Sequence, residues 1–75
     1  MSMTTDDKLV YMVNQIARNF AAMGQQEAMT ATADHLLAFW EPRMKLRIRA
    51  LSVERPDALT PIAAAAVARL PASAG

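Results

Sequence analysis

The chain has no cysteine. That excludes disulfides and thiolate metal sites, and it fits a reducing compartment. It has two glycines, Gly24 and Gly75, far apart. A loop that cradles phosphate needs several glycines just before a helix, so none is present. His35 is the only histidine, and no second histidine completes a ligand set with it. Asp34 stands beside it, but adjacent helical positions diverge by about 100°, so the two do not form a proton relay. His35 reads as a polar residue at a helix rim. No apolar run approaches the ~18–20 residues that span a bilayer. Residues 1–7 are polar and acidic and lack the positive start of a signal peptide. The expectation is a soluble, cytoplasmic protein with no membrane partner.

Catalytic patterns are equally scarce. The seven carboxylates are scattered singly, with no pair placed on one helical face for acid–base work. Serines and threonines fall in caps and tails, or beside no base. No catalytic, cofactor-binding or metal-binding residue is expected in this chain.

What is present is helical patterning. Seventy-five residues make one domain at most, and a core this small is marginal. Hydrophobic residues are 53%, but 16 of them are alanine, and six methionines add adaptable packing. Over residues 6–23, Leu9, Met12, Val13, Ile16, Phe20 and Met23 recur at helical spacing. Thr4 or Thr5 caps this segment, Asp6 and Asp7 suit its dipole, and Gly24 stops it. Over residues 26–40, Met29, Ala33, Leu36, Leu37 and Trp40 share a face, with Phe39 at its edge. Pro42 closes this segment and starts the next.

Residues 42–52 are ambiguous. Arg43, Lys45, Arg47 and Arg49 alternate with Met44, Leu46, Ile48 and Ala50, which is strand-like. Pro42 is nevertheless a good helix start, Met44, Ile48 and Leu51 fit one helical face, and no second strand is available for pairing. Helix is the reading adopted. Residues 53–59 read as a loop. Thr60 then caps a last helix with Pro61 at its first position, carrying a thin stripe of Leu59, Ile62, Ala66 and Leu70. The expected fold is all-α, a compact bundle of three to four short helices. It is one domain over residues 6–70, with flexible ends at 1–5 and 71–75.

Candidate binding residues fall in two places. The chain places Phe39 and Trp40 at one helix junction, directly before a basic run; five of its eight cationic residues lie between Arg43 and Arg55. A large apolar anchor beside a cationic segment suits a grip on a larger partner. Trp40 fits both a core position and an interface anchor. The basic run, with Arg43 and Arg47 on one helical face, fits a solvated surface, an acidic protein surface or nucleic acid. No aromatics are interleaved with the run for base stacking. On the first helix, Tyr11, Asn14 and Arg18 cluster opposite Ile16. The candidate partner-binding set is therefore Tyr11, Asn14, Arg18, Phe39, Trp40, Arg43 and Arg47. Reversing Arg43 and Arg47 is expected to weaken a partner's binding and leave folding nearly unchanged.

Residues 9–21 (LVYMVNQIARNFA) and 33–44 (ADHLLAFWEPRM) resemble the delta subunit of soluble NAD-dependent, molybdenum-containing formate dehydrogenases. The resemblance covers about residues 7–70. The Asn14-Gln15-Ile16-Ala17…Asn19-Phe20 and Phe39-Trp40-x-Pro42-Arg43-Met44 elements carry it together. It implies a non-catalytic accessory subunit bound to the large alpha subunit, with beta and gamma subunits in the same complex. It further implies bis-molybdopterin guanine dinucleotide, iron–sulfur clusters and FMN in those partners, and a role in assembly, cofactor insertion or stability. Two other readings stay open on the residues alone. One is a small helix-turn-helix-like nucleic-acid binder using residues 43–49. The other is a free-standing helical homodimer.

Overall fold

In the computed structural model, residues 3–71 are described and form four α-helices with two 3-10 turns. The bundle is all-α among these residues, as the helical spacing leads one to expect. Helix α1 spans Thr5–Phe20. Thr4 starts it with a capping box: its hydroxyl accepts from Asp7 N–H at 3.1 Å, and its own N–H donates to the Asp7 carboxylate at 3.3 Å. Leu9, Val13 and Ala17 repeat every fourth residue and are buried. Phe20 and Ile16 sit at the margin, and Met12 and Met23 are exposed. The buried stripe is thus narrower than the spacing of large side chains indicates.

A 3-10 turn, Ala21–Met23, follows α1 and leads to Gly24. Gly24 has φ +101°, a value that L side chains rarely adopt. A Cβ there would meet nothing within 4 Å, so the glycine serves the backbone angle alone. Its carbonyl accepts the first hydrogen bond of the next helix, from Ala28 N–H at 2.8 Å. Gly24 therefore stops one helix and opens another.

Helix α2 spans Gln25–Phe39. Ala28, Thr32 and Leu36 form its buried row, which Trp40 continues, with Ala33 beside it. Leu37, expected on this face, is exposed, and Thr32 takes the inward position instead. Helix α3 spans Pro42–Glu54, with Pro42 in its first turn and Ile48 and Leu51 buried. It runs two residues past the expected end, because Arg55 N–H still donates to the Leu51 carbonyl at 2.7 Å. The expected loop is shorter and contains a 3-10 turn, Pro56–Ala58. Helix α4, Pro61–Ala68, starts as expected, with Ala63 N–H donating to the Thr60 hydroxyl at 3.3 Å.

The core joins Leu9, Val13, Ala17, Leu36, Trp40, Ile48, Leu51, Leu59, Ala63, Val67 and Leu70. Helix α1 touches the other three helices, and α4 lies mainly on α2. The alanines of α4 leave little side chain between the two backbones. The radius of gyration is 11.4 Å. A self-contained domain of this length is expected near 11 Å, so the chain closes on its own core. No helix among the described residues is long and apolar enough to cross a membrane. The expected flexible ends fall largely outside the described residues; of those inside, Thr4 and Thr5 cap and begin α1.

Candidate partner-binding surface

The junction between α2 and α3 separates its two aromatic residues. Trp40 is 6% exposed and belongs to the core. Its backbone leaves the helix at φ −85°, ψ 140°, which turns the chain toward Pro42. Phe39 is 74% exposed and points outward. Its ring lies 4.8 Å from that of His35, one turn back, tilted by 43°. The imidazole thus buttresses one edge of an exposed phenyl group. Of the two rings, Phe39 alone offers a broad free surface to a partner.

The basic run also divides. Arg47 forms a fork on Asp6, with Nε to Oδ1 at 2.8 Å and Nη2 to Oδ2 at 2.7 Å. It also reaches Glu54 at 3.4 Å. Its side chain clips α3 to the first turn of α1. The Arg47 guanidinium is the main cause that holds the Asp6 carboxyl below the usual carboxylate range, and Asp6 in turn raises Arg47. Arg55 makes a second clip, 3.0 Å from Asp7. The Asp7 carboxyl is lowered first by hydrogen bonds from Thr4 and then by Arg55. Arg49 donates to the Leu70 carbonyl and ties α3 to the end of α4. Arg43 is exposed and Lys45 half-buried, and neither has a carboxylate partner among the described residues. Arg47, grouped with Arg43 on one basic face in the sequence, is thus engaged within the chain, where it joins two helices.

On α1, Tyr11 and Arg18 are exposed, Tyr11 at 59%. Asn14 lies between them in sequence but turns inward. Its amide nitrogen donates to the Ala58 carbonyl at 2.9 Å, and its oxygen accepts from Thr60 N–H at 3.0 Å. It fixes the segment that launches α4, so its amide is engaged within the chain.

Two exposed residues escaped the sequence reading. Leu46 is 47% exposed and Val53 81% exposed, both on α3. For Leu46 the alternating pattern contained the signal, whereas Val53 lies beyond it in the span read as a loop. Apolar residues at every second position of a helix cannot all face one side, so some must point to solvent. Elsewhere, Met23, Gln26, Glu27, Thr30, Ala31 and Asp34 line an open hollow of about 420 Å³ along α2. Glu27 and Asp34 stand two turns apart there, too far to share a proton. Among the described residues, no three His, Cys, Asp or Glu side chains are grouped to hold a metal ion.

These features define a class: a small all-helical protein with a closed core and exposed aromatic, aliphatic and cationic side chains suited to contact with another protein. The chain belongs to the NADH-dependent formate dehydrogenase delta subunit family (FdsD), whose family model matches residues 8–67. The match spans all four helices nearly end to end and agrees with the resemblance carried by the two sequence elements above. No curated relative and no solved structure matches the chain. Membership places the chain in a formate dehydrogenase complex with other subunits.

Proposed function

We propose that this chain is a non-catalytic accessory subunit that binds the large molybdenum-containing alpha subunit of a cytoplasmic, NAD-dependent formate dehydrogenase. It supports the assembly, cofactor loading or stability of that partner, with beta and gamma subunits completing the complex. The family match is the observation that carries this reading. The exposed Phe39 and, four positions later, the exposed Arg43 support a protein partner. Of the cations at 43–49 that a nucleic-acid reading needs, Arg47 is engaged with Asp6 and Arg49 with the Leu70 carbonyl instead.

The cofactors of the complex are assigned to the partner subunits. Iron–sulfur clusters need cysteine thiolates, and this sequence has none. The residues here do not fit a molybdopterin or flavin site either. They offer one histidine and no glycine-rich loop, and the hollow along α2 is open to solvent. The chain acts through binding. A subunit that engages only the folded partner stabilises it by mass action, and one that covers an apolar patch keeps an unassembled intermediate from aggregating. The deciding experiment purifies the complex with and without this chain and compares molybdenum content, formate-dependent NAD reduction and yield. Removal of the chain lowers at least one of these. Equality in all three leaves the accessory role without support.

A further inference from the structure

Helix α3 has two apolar faces, and its own fold covers only one. Met44, Ile48 and Leu51 face the core. At about 100° per residue, Pro42, Leu46, Ala50 and Val53 gather on a stripe about 180° away. Pro42, Leu46 and Val53 are exposed and Ala50 is half-buried. Arg43 and Lys45 flank this stripe, roughly 65° to one side and roughly 90° to the other. Their side chains make no ion pair or hydrogen bond among the described residues, whereas Arg47 and Arg55 are clipped to α1 and Arg49 donates to the Leu70 carbonyl.

We propose that this outward face of α3 is a docking ridge that seats in an apolar groove with acidic rims on a protein partner. The assignment rests on the reading of the chain as a subunit of a larger complex. Three observations select the occupant. The first is charge: Arg43 and Lys45 stand on opposite flanks, where each meets one rim of a groove rather than a single acidic spot. The second is chemistry. Leu46 and Val53 lie on the stripe that the cations flank, and burying them against a nucleic-acid backbone removes apolar surface from water only to place it beside phosphates. The third is size. The stripe is about 17 Å long, and laid on a flat face it covers on the order of 200 Å². A stable contact takes roughly 800 Å² from each partner. A second copy of this convex ridge offers no groove and brings its own unpaired cations. A groove enclosing the flanks of the helix reaches the larger area.

The test uses the whole complex, with a tag on the alpha subunit and with the beta and gamma subunits and this chain co-expressed. Leu46→Glu with Val53→Glu places carboxylates in the centre of the ridge at solvent-facing positions. The expected result is a helical spectrum like that of the wild type and a loss of about tenfold or more in co-purified chain. Val53→Glu alone, at the most exposed position, repeats the measurement where folding is not at stake. Arg43→Glu with Lys45→Glu gives a loss that is largest at low salt. A folded double variant that co-purifies at the wild-type level overturns the ridge and leaves the subunit reading intact. A wild-type chain that fails to co-purify overturns the subunit reading itself. Sedimentation of the wild type as a dimer that these substitutions break, or binding to a DNA duplex that they abolish, assigns the ridge to another occupant and overturns the proposal.

Discussion

Neighbouring residues in this chain take opposite roles, and burial decides which. Trp40 fills the core while Phe39, one position earlier, faces solvent. Trp40→Ala is expected to cost ~3–5 kcal/mol, as truncation of a buried large aromatic side chain does. That approaches the whole stability of so small a domain. Circular dichroism of the isolated variant should show loss of the folded state at ambient temperature. Phe39→Ala should keep its helical spectrum and melting temperature and lose affinity for the complex. The reverse pairing, a stable Trp40 variant and an unfolded Phe39 variant, contradicts the burial assigned to both. Thr32 offers a second comparison. It is fully buried, and its hydroxyl has no hydrogen-bond partner among the described residues. An unpaired buried hydroxyl costs ~1–3 kcal/mol, and replacing it with a methyl group of similar shape removes that cost. Thr32→Val should therefore raise the urea midpoint, by about 1 kcal/mol of stability. A lower midpoint for this variant implies a partner for the hydroxyl.

Helix starts were legible in the sequence because their chemistry is local. Thr4, Pro42, Thr60 and Pro61 act within one turn of themselves, and each does what its type dictates. The roles of Arg47 and Asn14 were not legible. Their partners lie 41 to 46 positions away, and no periodicity reports which charge or amide a folded chain brings alongside. Hence the basic run read as one surface feature, although it contains two clips between α1 and α3. These clips have a pH signature. Asp6 and Asp7 have depressed folded-state pKa values, so their contribution is complete above the ordinary carboxylate range and fades as pH falls through the depressed values. Arg47 is raised, so its contribution is lost only at extreme alkaline pH. Melting temperature should stay level from neutral pH to about 4 and fall below it. Asp6→Asn should lower the level region and remove part of the acid fall. Arg47→Glu should destabilise more than Arg43→Glu, because it sets a further carboxylate between Asp6 and Glu54. Equal melting temperatures for the two reversals would show that the Arg47 clip contributes nothing to stability.

The whole molecule closes a core but leaves much of its apolar surface outside. Tyr11, Phe39, Leu46 and Val53 are all exposed on a globule of 32 × 31 × 20 Å. The α3 pair, Leu46 and Val53, shares one stripe, and exposed apolar side chains gathered together give a subunit a contact surface. The consequence is measurable in thermal unfolding. A partner present at 100 times its dissociation constant adds about 2.7 kcal/mol to the chain's stability. For a domain of this size each kcal/mol moves the midpoint by roughly 4–8 °C. The chain should therefore melt roughly 10–20 °C higher in the complex than alone. Followed by its own probe, the buried Trp40, the isolated chain should show a midpoint independent of its concentration. A midpoint that rises with concentration in the absence of other subunits favours the homodimer, since mass action then comes from a second copy. An unchanged midpoint when saturating alpha subunit is added shows that the folded chain is not what that subunit binds, and the exposed side chains then need another partner.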